Sequence, residues 1–390
     1  MTDEQPRRHW RALDGLRGVA ILLVLLHHFT VLRPVTAVDA AVASVPLVGW
    51  VGVDLFFVLS GFLITGILID ARGGAHYFQS FYARRALRIF PLYYLVVFLS
   101  LIVLPRFAGW HDLLAGGGAP SHWPYWVYLT NFAIAARDAF THGILDVTWS
   151  LAIEEQFYLL WPALIWLCPP RLIGPLCIGI VVASAAARNF ALSLGADPID
   201  LYVLSHYRAD TLAAGALVAY ALRAGWLAGR GRQALWVSAA ALGGLIVVCW
   251  IDGDSGWAGP AMQRVGYSLL AVAGTGLVIA AIMLAPSGPW PRFLSSGWLV
   301  AFGKYSYAIY LFHLPVMRVV RAFVLGPQQF GEYGSIWGGQ LLFYGLATAP
   351  AFALAWISWR VFEAPLLRLK SWFPYASGDR HASAPSVSAP

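Results

Sequence analysis

The feature that most constrains this chain is a series of apolar stretches, each long enough to cross a lipid bilayer. A helix needs about 20 mainly apolar residues to cross the hydrocarbon core, and only helices and closed barrels satisfy every backbone polar group there. Such stretches fall at 18–33, 46–69, 89–105, 150–168, 171–190, 207–223, 233–251, 264–285, 298–325 and 337–362. The sequence therefore predicts an all-α, polytopic membrane helix bundle with about ten transmembrane helices.

The balance of apolar and charged residues excludes a water-soluble fold of this size. Hydrophobic residues make up 59% of the chain and charged residues 12%, whereas a soluble domain carries about 25% charged residues. The net charge of +7 comes from basic residues in loops between apolar stretches. This is the positive-inside pattern of membrane proteins and does not indicate nucleic-acid binding. The three cysteines form no CxxC pair, so neither a metal site nor a disulfide is predicted.

The charged loops predict how the chain is oriented in the membrane. The basic loops are 72–88 and 223–232, and the acidic loops are 197–200 and 252–254. With the basic N-terminus and the basic loops in the cytoplasm and the acidic loops outside, ten spans fit and an eleventh at 123–136 does not. We therefore expect 106–148 to be an external excursion in which 123–136 is re-entrant or interfacial, with both termini cytoplasmic.

The chain reads as one membrane domain, residues 1–370, followed by a short tail at 371–390. The tail is expected to be cytoplasmic and disordered at its end, because residues from 376 onward are rich in Ser, Ala and Pro. No internal repeat and no second soluble domain are evident in the sequence.

Ionisable residues inside the apolar stretches are the first candidates for function, because a charge at bilayer depth is costly. The first stretch carries Arg17 at its predicted cytoplasmic end and His28 near its outer end. Eleven residues bring a helix back to nearly the same face, with a rise of about 16 Å. An anion-binding group and an acid–base group therefore share one face at opposite depths. Snorkelling at a helix end is the alternative interpretation of any single such residue.

Further ionisable residues fall at depths similar to that of His28. Asp54 lies early in the second stretch, Glu154 and Glu155 lie early in the fourth, and His313 lies near mid-membrane in the ninth. We expect these groups to converge on one cavity in the outer half of the membrane. A carboxylate bonded to one ring nitrogen of a histidine makes the other a better base, so Asp54 or Glu154 is expected to orient His28 for catalysis.

Three arginines precede the third apolar stretch, in the predicted cytoplasmic loop. Arg85 and Arg88 are at i and i+3, which share a face at a helix start, and Arg84 is beside them. The guanidinium fork suits phosphate oxygens. We therefore predict that these arginines bind a phosphate-bearing donor such as coenzyme A from the cytosol, the alternative being an ordinary basic loop.

Seven short motifs, in this order and spacing, make the chain similar to the membrane-bound acyltransferase-3 family from Leu13 to about Leu366. The motifs are Leu13–Gly18 with His28, Gly52–Phe62, Phe81–Pro91, Thr148–Tyr158, Arg208–Asp210, Ser306–His313 and Phe362–Pro365. Members of that family O-acylate sugars, surface polysaccharides, peptidoglycan, glucans and macrolides. The resemblance implies ten core helices, a cytoplasmic acyl-CoA donor, and an acceptor on or near the external side.

The resemblance also assigns essential roles to Arg17 and His28, and to the RxxR pair Arg85 and Arg88. Arg17, with Arg84 and that pair, is expected to hold the donor. No esterase-like domain, which some family members append, is evident in the sequence, so the stand-alone type in a bacterial-type inner or plasma membrane is expected.

The acceptor pocket is expected to involve Arg208, Asp210, His313 and Glu155. The predicted function is transfer of an acyl group, most simply acetyl from acetyl-CoA, to a hydroxyl of a carbohydrate-like acceptor, without a metal. The alternative is a transporter or flippase that uses intramembrane His, Asp and Glu as a proton relay. Release of free CoA thiol from acetyl-CoA by the purified protein distinguishes the two.

Overall fold

In the computed structural model of the chain, the described residues are 10–107, 109, 121–141, 143–333 and 336–375. Every regular element within these ranges is helical. The α-helices are α1 (Arg11–Phe29), α2 (Ala37–Leu47), α3 (Gly52–Ala71), α4 (Tyr77–Phe98), α5 (Trp123–Trp126), α6 (Thr130–Ala135), α7 (Thr148–Leu167), α8 (Ile173–Ser193), α9 (Pro198–Val203), α10 (Ser205–Arg223), α11 (Gly231–Asp252), α12 (Tyr267–Met283), α13 (Pro289–Leu294), α14 (Gly297–Phe323), α15 (Ile336–Ser358) and α16 (Ala364–Arg368). The predicted all-α fold is confirmed.

Each of the ten predicted apolar stretches coincides with a long helix of the described chain. Seven helical stretches are long and apolar enough to cross a membrane by length and composition, and the chain is a multi-pass integral membrane protein. The long helices α7, α10 and α14 fall short of that apolarity because they carry polar and charged residues, among them Glu154, Arg208 and His313. A total of ten spans stays a prediction.

The segment 123–136 forms no helix of spanning length. Its two helices, α5 and α6, have 4 and 6 residues, far below the roughly 20 that a span needs. Both pack against the long helices: the Tyr93 hydroxyl of α4 donates to the Tyr125 carbonyl of α5 at 2.8 Å, and the Gln156 amide of α7 donates to Asn131 Oδ1 of α6 at 3.0 Å. The side of the membrane on which this segment lies stays a prediction.

Helix α4 begins earlier than its apolar stretch predicts, which corrects the placement of three arginines. Tyr77 and Phe81 are 2% and 0% exposed, and their packing extends the buried face of α4 by more than two turns before residue 89. Arg84, Arg85 and Arg88 consequently lie inside the helix and not in the loop expected there.

The start of the predicted tail packs against α4. The Ser80 hydroxyl donates to the Pro374 carbonyl at 2.6 Å, and Arg84 Nε donates to the Phe373 carbonyl at 2.6 Å. Residues 371–375 thus belong structurally with the helix bundle, whereas 376–390, for which disorder is expected, lie outside the described residues.

Helices α1 and α14 pack closely against each other, and glycines make this contact possible. A Cβ added to Gly303 would overlap the carbonyl oxygen of Asp14, and one added to Gly18 would overlap that of Leu299. Small residues at a crossing let two membrane helices pack backbone against backbone. This contact brings the face of α1 that carries Arg17 against α14, where Arg17 Nη2 donates to Ser306 Oγ at 3.3 Å.

We expect Gly303→Ala to destabilise the bundle by about 1–3 kcal/mol, because the added methyl group forces α1 away from α14. The matched control is Gly345→Ala, since a Cβ at that helical position has no heavy atom within 4 Å. Thermal unfolding in detergent should show a lower apparent Tm for the first variant alone. Equal Tm values for the two variants would contradict the close packing of α1 on α14.

Candidate functional site

Two adjoining cavities lie among helices α1, α3, α4, α7 and α14. The arginine cavity has as its polar lining Arg17, Ser60, Arg85, Arg88, Ser150, Glu154, Tyr158, Ser306, Tyr307 and Tyr310. The histidine cavity is lined by His27, His28, Asp146 and Arg318, with the aromatic residues Trp50, Phe140, Trp149, Tyr202, Trp257 and Tyr310. Val53 and Tyr310 line both cavities, so the two cavities share a wall.

The arginine cavity carries an excess of positive charge. Arg17, Arg85 and Arg88 line it against a single carboxylate, that of Glu154. The guanidinium of Arg85 lies 5.9 Å from the centre of the Tyr158 ring, and its buried Nε has no hydrogen-bond partner among the described residues. Unused guanidinium donors in a cationic cavity suit an anionic ligand.

Glu363, to which the sequence assigned no role, holds Arg88 in place. Arg88 Nη1 lies 4.0 Å from Glu363 Oε2, and its guanidinium lies 5.2 Å from the centre of the Trp359 ring. The Ser358 hydroxyl donates to Glu363 Oε1 at 3.2 Å. The motif Phe362–Pro365 therefore supplies the counter-ion that positions one arginine of the cavity.

Arg84 does not line the arginine cavity, which corrects its expected place beside Arg85 and Arg88 in the donor site. Besides the hydrogen bond to the Phe373 carbonyl, its guanidinium lies 4.8 Å from the centre of the Tyr375 ring. One helical position separates Arg84 from Arg85, a rotation of about 100°, which turns its side chain toward the C-terminal segment.

His28 is oriented by a backbone carbonyl and not by the expected carboxylate. His28 Nδ1 lies 3.0 Å from the Val24 carbonyl oxygen. A carbonyl only accepts hydrogen bonds, so Nδ1 carries the proton and Nε2 keeps its lone pair. The two carboxylates expected for this task are engaged elsewhere: Asp54 is paired with Arg208, and Glu154 lines the arginine cavity.

His313 lies against His28, as the predicted convergence of histidines requires, but it is not among the lining residues of either cavity, where the acceptor pocket was expected. The two ring centres are 4.8 Å apart with the planes at 62°. His313 Nδ1 lies 2.7 Å from the Tyr310 carbonyl oxygen and so donates to it, and its buried Nε2 has no hydrogen-bond partner among the described residues. The Nδ1 of His27 is held in the same way, 2.6 Å from the Leu47 carbonyl oxygen.

Arg208 and Asp210 belong to a buried ionic network that lines neither cavity. Arg208 Nη2 pairs with Asp54 Oδ1, and Arg188 Nη1 pairs with Asp210 Oδ2 at 2.8 Å. The Arg208 guanidinium also lies 4.1 Å from the centre of the Tyr267 ring. All four charged residues are at most 1% exposed. The structure therefore gives no support to direct acceptor binding by Arg208 and Asp210, or to contact between Asp54 and His28.

Glu155 also lies outside the lining of both cavities. Its buried Oε1 has no hydrogen-bond partner in the described part of the chain, so the structure does not bring Glu155 to the expected acceptor pocket. Within the described ranges, no group of three or more His, Cys, Asp or Glu residues is arranged to hold a metal ion.

Several lining residues have no role in the sequence-based prediction. Those within the quoted motifs that carry a hydroxyl group are Ser60, Ser150, Tyr158, Ser306, Tyr307 and Tyr310. Their hydroxyl groups carry no charge, so hydropathy gives no signal for them. Asp146 and Arg318, in the histidine cavity, lie just outside the motifs Thr148–Tyr158 and Ser306–His313. Their positions beside those motifs are the only sequence signal that points to them.

Membrane helices that enclose a cavity lined by arginines beside a cavity lined by histidines are the arrangement of a membrane-embedded enzyme. The model of a family described as an acyltransferase domain matches residues 10–360. The chain belongs to this acyltransferase-3 family, as the motifs predict.

Named relatives agree with this assignment. The peptidoglycan O-acetyltransferase OatA of Listeria monocytogenes is 28% identical over 97% of this chain and 58% of its own length. YrhL of Bacillus subtilis, provisionally named a peptidoglycan O-acetyltransferase, is 30% identical over 80% of this chain and 49% of its own. The chain thus spans about half the length of the curated relatives it matches. No solved structure matches the chain.

We expect Asp54→Asn to destabilise the protein by about 3–5 kcal/mol, because it leaves Arg208 buried without a counter-ion. The control is Asp70→Asn, which breaks the ion pair between Asp70 and Arg223. These side chains are 45% and 29% exposed, and an exposed pair contributes about 0–1 kcal/mol. Unfolding in detergent measures both. An Asp54→Asn protein with wild-type Tm would contradict a structural role for the ionic network.

Proposed function

We propose that this protein is an O-acyltransferase that moves an acetyl group from acetyl-CoA, held in the arginine cavity, to a hydroxyl of a carbohydrate acceptor in the histidine cavity. The observation that carries the proposal is the wall shared by the two cavities. Two side chains, those of Val53 and Tyr310, line both the cationic cavity and the cavity that contains His28. The acyltransferase family and its O-acetyltransferase relatives support the reaction class.

The donor side is argued from charge. Coenzyme A carries a diphosphate and a 3′-phosphate, and Arg17, Arg85 and Arg88 offer fork-shaped donors that match phosphate oxygens. The apolar part of the same lining, which includes Phe56, Leu63 and other residues of α3, suits the uncharged pantetheine arm. The positive-inside pattern places this end of α4 toward the cytosol, where acyl-CoA is found.

The acceptor side is argued from the aromatic lining. Tyr202 and Trp257 are stacked with ring centres 4.7 Å apart, and Trp149 lies 4.6 Å from Tyr202. Flat aromatic faces pack against the C–H faces of sugar rings, while Asp146 and Arg318 add polar groups that hydrogen-bond hydroxyls. A peptidoglycan sugar is the first acceptor to test, because two relatives are named for that substrate.

The chemistry follows from the tautomer of His28. Its Nε2 removes the proton of the acceptor hydroxyl while the hydroxyl oxygen bonds to the thioester carbonyl carbon. The tetrahedral intermediate collapses with cleavage of the C–S bond, and the CoA thiolate takes the proton from the His28 imidazolium. The products are an O-acetyl ester and free CoA, with no net change in the enzyme.

His28→Ala should lower the turnover number for acetyl transfer by about 10²–10⁴-fold, the usual contribution of a general base. Binding of CoA should persist, because His28 does not line the arginine cavity. Turnover is followed by release of CoA thiol in the presence of soluble peptidoglycan fragments, and binding by calorimetry. The control is His206→Gln, since His206 lines neither cavity.

Near-normal turnover of His28→Ala would exclude His28 as the base. A wild-type protein that binds acetyl-CoA and releases no thiol with any carbohydrate acceptor would favour the transporter alternative.

Arg85→Ala and Arg88→Ala should each raise the KM for acetyl-CoA by about 10- to 100-fold, with little change for the acceptor. The reason is the loss of one charge-assisted phosphate contact, about 1.5–3 kcal/mol. Lysine at either position should rescue donor binding only in part, since a point charge lacks the guanidinium fork. Arg84→Ala should leave the donor KM unchanged, because that side chain faces the C-terminal segment.

Donor and acceptor titrations, each with the other substrate saturating, provide the measurement. If the Arg85 and Arg88 variants lose acceptor affinity and keep the wild-type donor KM, the arginine cavity is not the donor site.

A further inference from the structure

Among the described residues, Tyr310 is the one polar side chain that lines both cavities. The other residue common to the two described linings, Val53, has no hydrogen-bonding side chain. Tyr310 is 7% exposed, and its ring and hydroxyl form the partition between the donor and acceptor sides.

The Tyr310 hydroxyl is held from both sides of that partition. It lies 2.6 Å from Ser150 Oγ, which belongs to the arginine cavity, and 3.0 Å from the carbonyl oxygen of Val147, which belongs to the histidine cavity. Ser150 Oγ also lies 3.2 Å from the Val147 carbonyl oxygen. The three oxygens therefore form a closed triangle at the start of α7.

The number of protons in this triangle shows that the Tyr310 hydroxyl can donate to a further acceptor. The triangle has three contacts but only two hydroxyl protons, since the Val147 carbonyl can only accept. If Ser150 donates to Val147, the Tyr310 proton can turn to an incoming carbonyl oxygen and no buried group is left unpaired. Tyr310 is thus a preorganised neutral donor whose redirection costs little.

On the basis of the proposed acyl transfer, we propose that Tyr310 donates a hydrogen bond to the thioester carbonyl oxygen and to the oxyanion that forms from it. The donor brings its thioester carbon from the arginine cavity, and the acceptor hydroxyl approaches that carbon from the histidine cavity. The carbon must therefore lie at the shared wall when the two react. When the acceptor oxygen bonds to that carbon, the carbonyl π pair moves onto the oxygen that Tyr310 faces. The pair returns when the C–S bond breaks, and Tyr310 keeps its proton throughout.

The same residue links this donor to the base. Its backbone carbonyl accepts from His313 Nδ1 at 2.7 Å, and the His313 ring packs 4.8 Å from the ring of His28. One residue of α14 therefore fixes both the oxyanion donor and the neighbour of the general base. Ser150 is a positioning residue, since it acts through the Tyr310 hydroxyl.

The test variant is Tyr310→Phe, which keeps the ring and removes only the hydroxyl. Removal of one oxyanion donor typically lowers kcat by about 10²–10³-fold, and we expect a loss of roughly 100-fold with the KM for acetyl-CoA little changed. The control is Tyr93→Phe, which removes the hydroxyl of another buried tyrosine; that hydroxyl donates to the Tyr125 carbonyl, and Tyr93 lines neither cavity. The kcat of this variant should stay at the wild-type value.

A spectroscopic measurement separates this role from a structural one. Acetonyl-dethia-CoA, labelled with ¹³C at its ketone, replaces the thioester sulfur by a methylene group and cannot transfer acetyl. Isotope-edited infrared spectra should show the ketone stretch at a lower frequency in wild type and Tyr93→Phe than in Tyr310→Phe. Ser150→Ala keeps the Tyr310 hydroxyl, so it should retain the lowered ketone frequency and lose less kcat than Tyr310→Phe. It is the replacement test variant if Tyr310→Phe does not fold.

Equal ketone frequencies in wild type and Tyr310→Phe, or a wild-type kcat in Tyr310→Phe, would overturn the assignment while leaving acyl transfer by the wild type intact. If Tyr310→Phe does not fold, the Ser150→Ala protein provides the test. The assignment is then overturned if the ketone frequency of the analogue bound to Ser150→Ala equals its frequency free in buffer. Failure of the wild type itself to release thiol from acetyl-CoA is the distinct outcome that removes the proposed function and the role of Tyr310 with it.

Discussion

The site depends on the backbone contact between α1 and α14. Gly18 and Gly303 let the two helices approach until their main chains touch, which is the way that membrane helices gain packing energy when surrounding lipid is as apolar as their side chains. This helix contact determines which residues of α1 and α14 meet at each end of the site. Arg17 meets Ser306 at one end, and His28 meets His313 at the other.

The bundle contains two clusters of charged side chains, which differ in burial and in the balance of their charges: one is fully buried, and the arginines of the other are half-buried. In the network of Asp54 and Arg208, with Arg188 and Asp210, each cation has a carboxylate within ion-pair distance and negligible exposure, so two arginines are balanced by two aspartates. In the described chain the arginine cavity has three lining arginines and one lining glutamate, Glu154, and Glu363 pairs with Arg88 from outside the lining. Since uncompensated charge in a low dielectric is expensive, the remaining excess of positive charge favours solvent or an anion in the cavity.

The helices could be predicted from the sequence, because a run of about 20 apolar residues has few alternatives in a bilayer. The partners of the charged residues could not. Asp54 has the right depth to reach His28, yet it pairs with Arg208, which is 154 positions away in the chain. Periodicity and depth carry no information about which of several nearby cations a carboxylate meets. The orienting group of His28 is a backbone carbonyl, and backbone acceptors leave no mark in a sequence.

The use of backbone carbonyls to hold His27, His28 and His313 has a chemical consequence. In the proposed reaction, a carboxylate partner would stabilise the imidazolium and bring a further negative charge to the face from which an anionic thiolate leaves. A carbonyl fixes the tautomer without adding a formal charge, so the base keeps its proton less firmly and can return it to the leaving group. The hydrogen-bond donor at the shared wall, Tyr310, is neutral as well. In the proposed reaction the acyl group would therefore change partners at a wall whose two described side chains, those of Val53 and Tyr310, carry no charge, between a cavity with four charged lining residues and one with two.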